Sequence, residues 1–200
     1  MRSAVLNRLM LFINNGSYSK EDLEKIHYGL EAIYIFITKG IVIFTISYIL
    51  GLLKYTLIFL LFYGILRSFA CGLHAASSFA CLIASTLVFI IIPYLCKTLI
   101  INRIFCIAAM VLSLLLMIKY APADTKKRPI VNNKKRKKLK YISVFFSTTY
   151  IILALIVKKN IILNSLMFGL VFETIMILPI TYKLFGLPYN NYINYLKTNK

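Results

Sequence analysis

The chain has 200 residues, of which 60% are hydrophobic and only 15% are charged. Its mean hydropathy of +0.80 excludes an ordinary soluble domain, because a soluble fold of this length cannot bury so much apolar surface. The 24 lysines and arginines outnumber the 6 acids and give a net charge of +18, enough to attract anionic lipid or an acidic partner. Because the bases lie between hydrophobic segments, membrane topology explains them better than nucleic-acid binding, and no nucleic-acid partner is expected.

The N-terminal segment, residues 1–30, is predicted to be amphipathic and cytoplasmic. Residues 3–13 have the pattern of a helix that lies in the membrane interface. After a turn, Ser19 and Asp22 approximate a capping box, so a second helix should begin there. We expect this helix to continue into a first membrane span at 33–53.

Five further hydrophobic segments follow in chain order. They are 55–66, 79–95, 104–118, 141–157 and 161–182. The first is shorter than the roughly 20 residues that a transmembrane helix needs. It must either continue beyond Leu66 or stop inside the bilayer, so six spans and four spans with a re-entrant 55–95 region both stay open.

The distribution of lysine and arginine predicts the orientation of the spans. With the N-terminus in the cytoplasm, the strongly basic segment 119–140 becomes a cytoplasmic loop, and five bases fall outside. Those five are Lys54, Lys97, Arg103, Lys158 and Lys159. The predicted fold class is therefore all-α: a polytopic integral membrane protein with about six transmembrane helices and an N-terminal amphipathic helix, as a single domain over 1–200.

Residues 67–81 concentrate the reactive side chains of the chain. They include His74, Cys71 and Cys81, and a thiol becomes a nucleophile when a neighbouring imidazole takes its proton. On one unbroken helix His74 and Cys81 would lie about 10 Å apart along the axis, so that dyad requires a break, whereas His74 and Cys71 need none. From spacing alone both cysteines stay open as the nucleophile.

Weaker candidates and structural interpretations also remain open for this region. Ser77 and Ser78 are less suitable nucleophiles than the thiols, and they are instead candidates for binding substrate or supporting the site. The small residues could also simply pack helix against helix. Glu173 could orient His74 or bind substrate, although a buried pair with Lys39 is the favoured interpretation. The other two cysteines, Cys96 and Cys106, lie in apolar runs and should pack as small hydrophobic residues.

Two motifs resemble those of the accessory gene regulator B (AgrB) family, membrane peptidases that process the AgrD-type precursor of an autoinducing peptide. The first is Arg67-x4-Gly72-x-His74-Ala75-x5-Cys81. The second, at 120–129, has an Ala-Pro pair followed by Arg-Pro. Chain length, the amphipathic start and the basic loop extend the resemblance over essentially the whole chain.

The resemblance implies a role for each residue of the first motif. Cys81 would be the nucleophile of a cysteine endopeptidase and His74 its base. Gly72 would support the site, and Arg67 would bind substrate or its carboxylate. The family often has Gly-Gly where this chain has Cys71-Gly72, which places a second thiol beside the base.

The resemblance also implies a reaction and its partners. The enzyme would cleave the acidic C-terminal tail from a quorum-sensing precursor peptide through an acyl-enzyme and promote thiolactone ring closure. The expected partners are that precursor and a bilayer with anionic lipids, and a homodimer is a further candidate assembly. No cofactor and no metal are expected. The expected location is the cell membrane of a Gram-positive bacterium, with both termini cytoplasmic. The alternative is a non-enzymatic membrane peptide exporter or assembly partner.

Overall fold

The computed structural model describes residues 2–13, 18–73, 78–126 and 128–198, which are mostly helical. The helices are α1 (Arg2–Ile13), α2 (Lys20–Ile49), α3 (Leu53–Ala70), α4 (Ser78–Thr98), α5 (Arg103–Tyr120), α6 (Asn133–Ile156), α7 (Asn160–Ile177), α8 (Pro179–Leu184) and α9 (Asn191–Thr198). Six of them, α2 to α7, are long and apolar enough to cross a membrane. This confirms the predicted all-α, polytopic membrane fold.

The chain forms two compact units, and the first comprises Met1–Ile46. It holds α1 and most of α2. The predicted cap of α2 is present, since the Asp22 N–H donates to the Ser19 hydroxyl at 3.2 Å and that hydroxyl donates to the Asp22 carboxylate at 2.6 Å. The helix then continues without interruption into the first predicted span, as expected, but it ends at Ile49 rather than at 53.

The second unit, Ser47–Lys200, is organised around α7. This helix packs against α3, α4, α5 and α6, and 56% of its membrane window is buried, against 22% or less for the other spans. Its buried positions include polar Asn164 and Glu173 beside Leu166, Leu170 and Ile177. The outer helices keep large apolar side chains exposed, as expected for surfaces that face lipid.

The length of helix α3 bears on whether the segment 55–66 spans the membrane or stops inside it. It continues to Ala70 and has 18 residues, which gives a length of about 27 Å. The added last turn carries Arg67, whose guanidinium binds the carbonyls that follow the helix end. The structure therefore favours six membrane-spanning helices over a re-entrant segment.

Two further predicted boundaries were wrong. The last span ends at Ile177 rather than at 182, because Pro179 disfavours helical geometry at the preceding residue, and Leu178 is extended with φ −68° and ψ 139°. The basic segment 119–140 is not one loop, since α5 includes its first residues and α6 begins at Asn133. The Asn132 side chain caps α6, so Lys134–Lys138 forms its first turns.

Candidate active site

The backbone joins the two sequence motifs directly. The N–H of Gly72 donates to the carbonyl of Ala123 at 2.8 Å, and the Ala123 N–H donates to the carbonyl of Ala70 at 3.0 Å. The Leu73 N–H donates to the carbonyl of Met176, near the end of α7, at 3.0 Å. The segment 70–73 that leads into His74 is therefore tied to the second motif on one side and to α7 on the other.

Arg67 and Glu173 form a charged pair beneath this segment. The Arg67 guanidinium donates to the carbonyls of Cys71 and Leu73 and, at 3.4 Å, to that of Gly72. Its Nη1 lies 3.6 Å from Oε1 of Glu173, whose side chain is 0% exposed. In a low-dielectric environment a buried carboxylate needs such a counter-charge.

This pair corrects one sequence-based interpretation and bears on a second. The partner of Glu173 is Arg67, whereas the sequence favoured Lys39. Arg67 directs its donors at carbonyls of its own chain, which indicates that it holds the 71–73 turn. Its predicted contact with substrate stays a prediction.

Gly72 occupies a position that no other residue would fit. Its φ of +91° lies in the region that favours glycine, and a Cβ built there would lie 2.7 Å from Arg67 Nη1 and 2.9 Å from the Met176 carbonyl oxygen. The glycine therefore permits both the Arg67 contacts and the bond from Leu73 to α7. This geometry gives a physical reason for the site-supporting role that the resemblance implied.

Cys81 lies in the first turns of α4, which begins at Ser78. Its thiol is partly buried, and the Tyr63 hydroxyl of α3 lies within electrostatic range of Cys81, Arg67 and Glu173. The start of α4 thus belongs to the same region as the charged pair. Helix N-termini carry a partial positive charge that favours anions such as a thiolate.

Part of the predicted site lies outside the described residues. His74 and Ser77 fall between the described ranges 18–73 and 78–126, and the side chain of Ser78 also lies outside the description. The predicted proximity of His74 to Cys81 therefore stays a prediction. Within the described part of the chain, no three His, Cys, Asp or Glu side chains are grouped as metal ligands.

The structure also describes the surroundings of the other three thiols. Burial raises the pKa of the Cys71 thiol, which the nearby Arg67 charge only partly opposes, and its Sγ lies 3.7 Å from the carbonyl oxygen of Phe69. A thiol with a raised pKa is a poorer nucleophile at neutral pH. Cys96 and Cys106 are buried in the helix packing, which confirms their prediction as small hydrophobic residues.

The sequence pattern did not predict the structural role of Asp124. Its side chain is almost fully buried and accepts the N–H groups of Asn191 at 3.0 Å and Tyr192 at 2.8 Å, so it caps α9. Arg136 Nη1 lies 3.8 Å away. The only sequence signal was an isolated acid between an Ala-Pro pair and a basic run.

Comparison with known proteins identifies the family. Residues 7–177 match the family model described as Accessory gene regulator B. An AgrB-like protein of Clostridium acetobutylicum is 37% identical over 204 residues, covering 100% of this chain and 98% of the relative. The accessory gene regulator protein B of Staphylococcus epidermidis is 37% identical over 78% of this chain and 79% of its own length.

A further relative agrees with this assignment. The accessory gene regulator protein B of Staphylococcus aureus is 36% identical over 79% of this chain and 83% of its own length. No solved structure matches the chain at a significant level. The chain is therefore a multi-pass membrane protein that belongs to the accessory gene regulator B (AgrB) family of the agr quorum-sensing system.

Proposed function

We propose that this protein is a membrane cysteine endopeptidase that matures a quorum-sensing precursor peptide, with Cys81 as nucleophile and His74 as base. The observation that carries the proposal is the support built beneath the first motif. Arg67, Glu173 and Gly72 hold the 71–73 turn against α7 and the second motif. The Cys81 thiol lies at the start of the next helix, α4.

The reaction that we propose has two acyl-transfer steps. His74 takes the proton of the Cys81 thiol, and the thiolate attacks the peptide carbonyl between the core and the acidic tail of the precursor. The bond to the tail amine breaks, the protonated His74 supplies the proton to that amine, and a thioester joins the core to Cys81. The thiol of a cysteine in the core then attacks this thioester, which releases Cys81 and closes a thiolactone ring.

The membrane setting supports ring closure over hydrolysis. Both Cys81 and the charged pair belong to helices that are long enough to span the bilayer, and Glu173 is fully buried. Limited access of water reduces hydrolysis of a reactive intermediate. An intramolecular thiol is held at a high effective concentration and can compete for the thioester.

The acidic tail of the precursor would meet a basic helix start. Lys134, Lys135 and Lys138 are exposed on the first turns of α6, and such a cluster accelerates the approach of an anionic segment. We place this face in the cytoplasm of a Gram-positive bacterium, with both termini on the same side. The basic run then serves both topology and substrate attraction.

The test is a mass spectrum of the precursor peptide after incubation with the purified protein in liposomes. The wild-type protein should release the tail, and Cys81→Ala and His74→Ala should each abolish cleavage, while Cys96→Ala and Cys106→Ala should retain it. A thioester on Cys81 that hydroxylamine removes would identify the intermediate. Full cleavage by Cys81→Ala would reject the proposal and favour a peptide exporter or an assembly partner.

A further inference from the structure

A basic cavity lies beside the second motif and plays no part in the proposed chemistry. Its volume is about 540 Å³, and its wall includes Lys119, Arg136, Lys137 and Lys140 but no acidic residue. Among the described residues, Asp124 is the carboxylate that pairs with Arg136, and the three lysines form no ion pair. The cavity therefore has a surplus of positive charge that an anion could neutralise.

The cavity lies where membrane spans end. Lys119 is in the last turn of α5, and Lys137 and Lys140 are in the second and third turns of α6, directly before its apolar part. Tyrosines 120, 189 and 192 also line it, and tyrosine is enriched at the membrane–water interface. This is the depth at which phospholipid phosphates are found, and the N-terminus of α6 adds a partial positive charge.

Arg136 is held in place at the wall before any ligand binds. Its guanidinium stacks on the Tyr192 ring at 3.6 Å from the centroid, and its Nη1 faces Asp124 at 3.8 Å. Asp124 in turn accepts N–H groups of the α9 start. A preorganised cation costs less to engage than a mobile one.

We propose that this cavity is a binding site for the phosphodiester headgroup of an anionic phospholipid. Basic pockets between the ends of transmembrane helices bind such headgroups. Two residues that adjoin these lysines in the sequence are exposed and apolar, because Ile118 is 42% exposed and Tyr141 is 73% exposed. They offer apolar surface to the acyl chains of a lipid whose phosphate lies in the cavity, and a free phosphate or an acidic peptide would leave that surface uncovered.

The test uses the full-length protein, delipidated in a neutral detergent and titrated with dioctanoyl phosphatidylglycerol. Binding is measured by native mass spectrometry and by the shift in Tm. Dioctanoyl phosphatidylcholine and inorganic phosphate serve as ligand controls. The cavity variant carries Lys119→Gln, Lys137→Gln and Lys140→Gln, and a matched control removes the same charge from the same helix start with Lys134→Gln, Lys135→Gln and Lys138→Gln.

Phosphatidylglycerol should bind the wild type and the control variant similarly, and the cavity variant at least about tenfold more weakly. If the cavity variant does not fold, Lys137→Gln alone should weaken binding by roughly fivefold. Equal weakening in both variants would overturn the proposal in favour of diffuse charge attraction. The proposal would also be overturned if inorganic phosphate bound as tightly as phosphatidylglycerol, or if a glutamate-rich peptide displaced the lipid. Because no precursor is present, the result is independent of the proposed peptidase activity.

Discussion

Arg67 of α3 and Glu173 of α7 face each other with Nη1 3.6 Å from Oε1, and the same guanidinium binds the carbonyls of Cys71 and Leu73. The pair therefore links the packing of two membrane helices to the turn that precedes His74. Only Arg67 is partly exposed, at 25%, whereas Glu173 has no exposed surface. Replacing Arg67 should lower the free energy of unfolding more than replacing Glu173, because the loss of the arginine leaves a fully buried carboxylate without a counter-charge.

The first prediction concerns the stability of this pair. Arg67→Gln should lower the free energy of unfolding by roughly 3 kcal/mol, the scale for breaking a buried ion pair, and Glu173→Gln should lower it by less. The double variant should be more stable than Arg67→Gln alone, because it leaves no uncompensated buried charge. Thermal unfolding of the three variants in one lipid composition measures these changes in stability. The prediction would be contradicted if the loss in the double variant equalled the sum of the losses in the two single variants.

The second prediction concerns Gly72. Gly72→Ala should destabilise the turn by about 1–3 kcal/mol through its positive φ, and it should abolish cleavage because the new Cβ would displace Arg67 or the Met176 carbonyl. Gly64→Ala is the matched control, since a Cβ there meets no atom within 4 Å. The measurement is the rate of precursor cleavage by the two variants at equal membrane levels. An active Gly72→Ala protein would contradict the role of the 71–73 turn in cleavage.

The third prediction concerns the pH dependence of Cys71. Burial raises the pKa of this thiol, so its reactive thiolate fraction should be small at neutral pH and rise about tenfold per pH unit until the pKa is reached. The alkylation rate should therefore keep rising at a pH where an ordinary thiol has already levelled off. The measurement uses iodoacetamide and a variant with Cys81→Ser, Cys96→Ala and Cys106→Ala, with a short cysteine peptide as the reference. If the alkylation rate of Cys71 levelled off at the same pH as that of the peptide, or at a lower pH, the burial of Cys71 would be contradicted.

The fourth prediction concerns orientation. Lys126 precedes α6 and Asn160 follows it, and both are exposed. The proposed topology places them on opposite sides of the membrane. In a variant without native cysteines, Asn160→Cys should react with a membrane-impermeant thiol reagent in intact cells, and Lys126→Cys should react only after permeabilisation. The reverse pattern would place the basic cavity and the second motif outside the cell.

The membrane class and most of the helices could be predicted from the sequence because they depend on local properties. Hydrophobic length predicted the spans, and Ser19 with Asp22 predicted the cap of α2 that the structure contains. The end of the last span was misplaced, because hydrophobicity continues past Ile177 while Pro179 interrupts the backbone. The spacing of the first motif also pointed to residues 67–81 as the candidate region, but it could not rank Cys71 against Cys81.

Contacts between distant segments were decided only by the tertiary structure. Residues 67 and 173 are far apart in sequence, and a charge pattern alone does not show which helix faces bring a buried acid to its partner; the sequence favoured Lys39 for that reason. The bonds from Gly72 to Ala123 and from Leu73 to Met176, and the cavity between the ends of α5 and α6, likewise arise from helix packing. The sequence by itself therefore determined which segments cross the membrane and which residues could react, because burial in lipid depends on composition and length. How those residues are supported depends on packing between non-adjacent helices, which only the folded chain specifies.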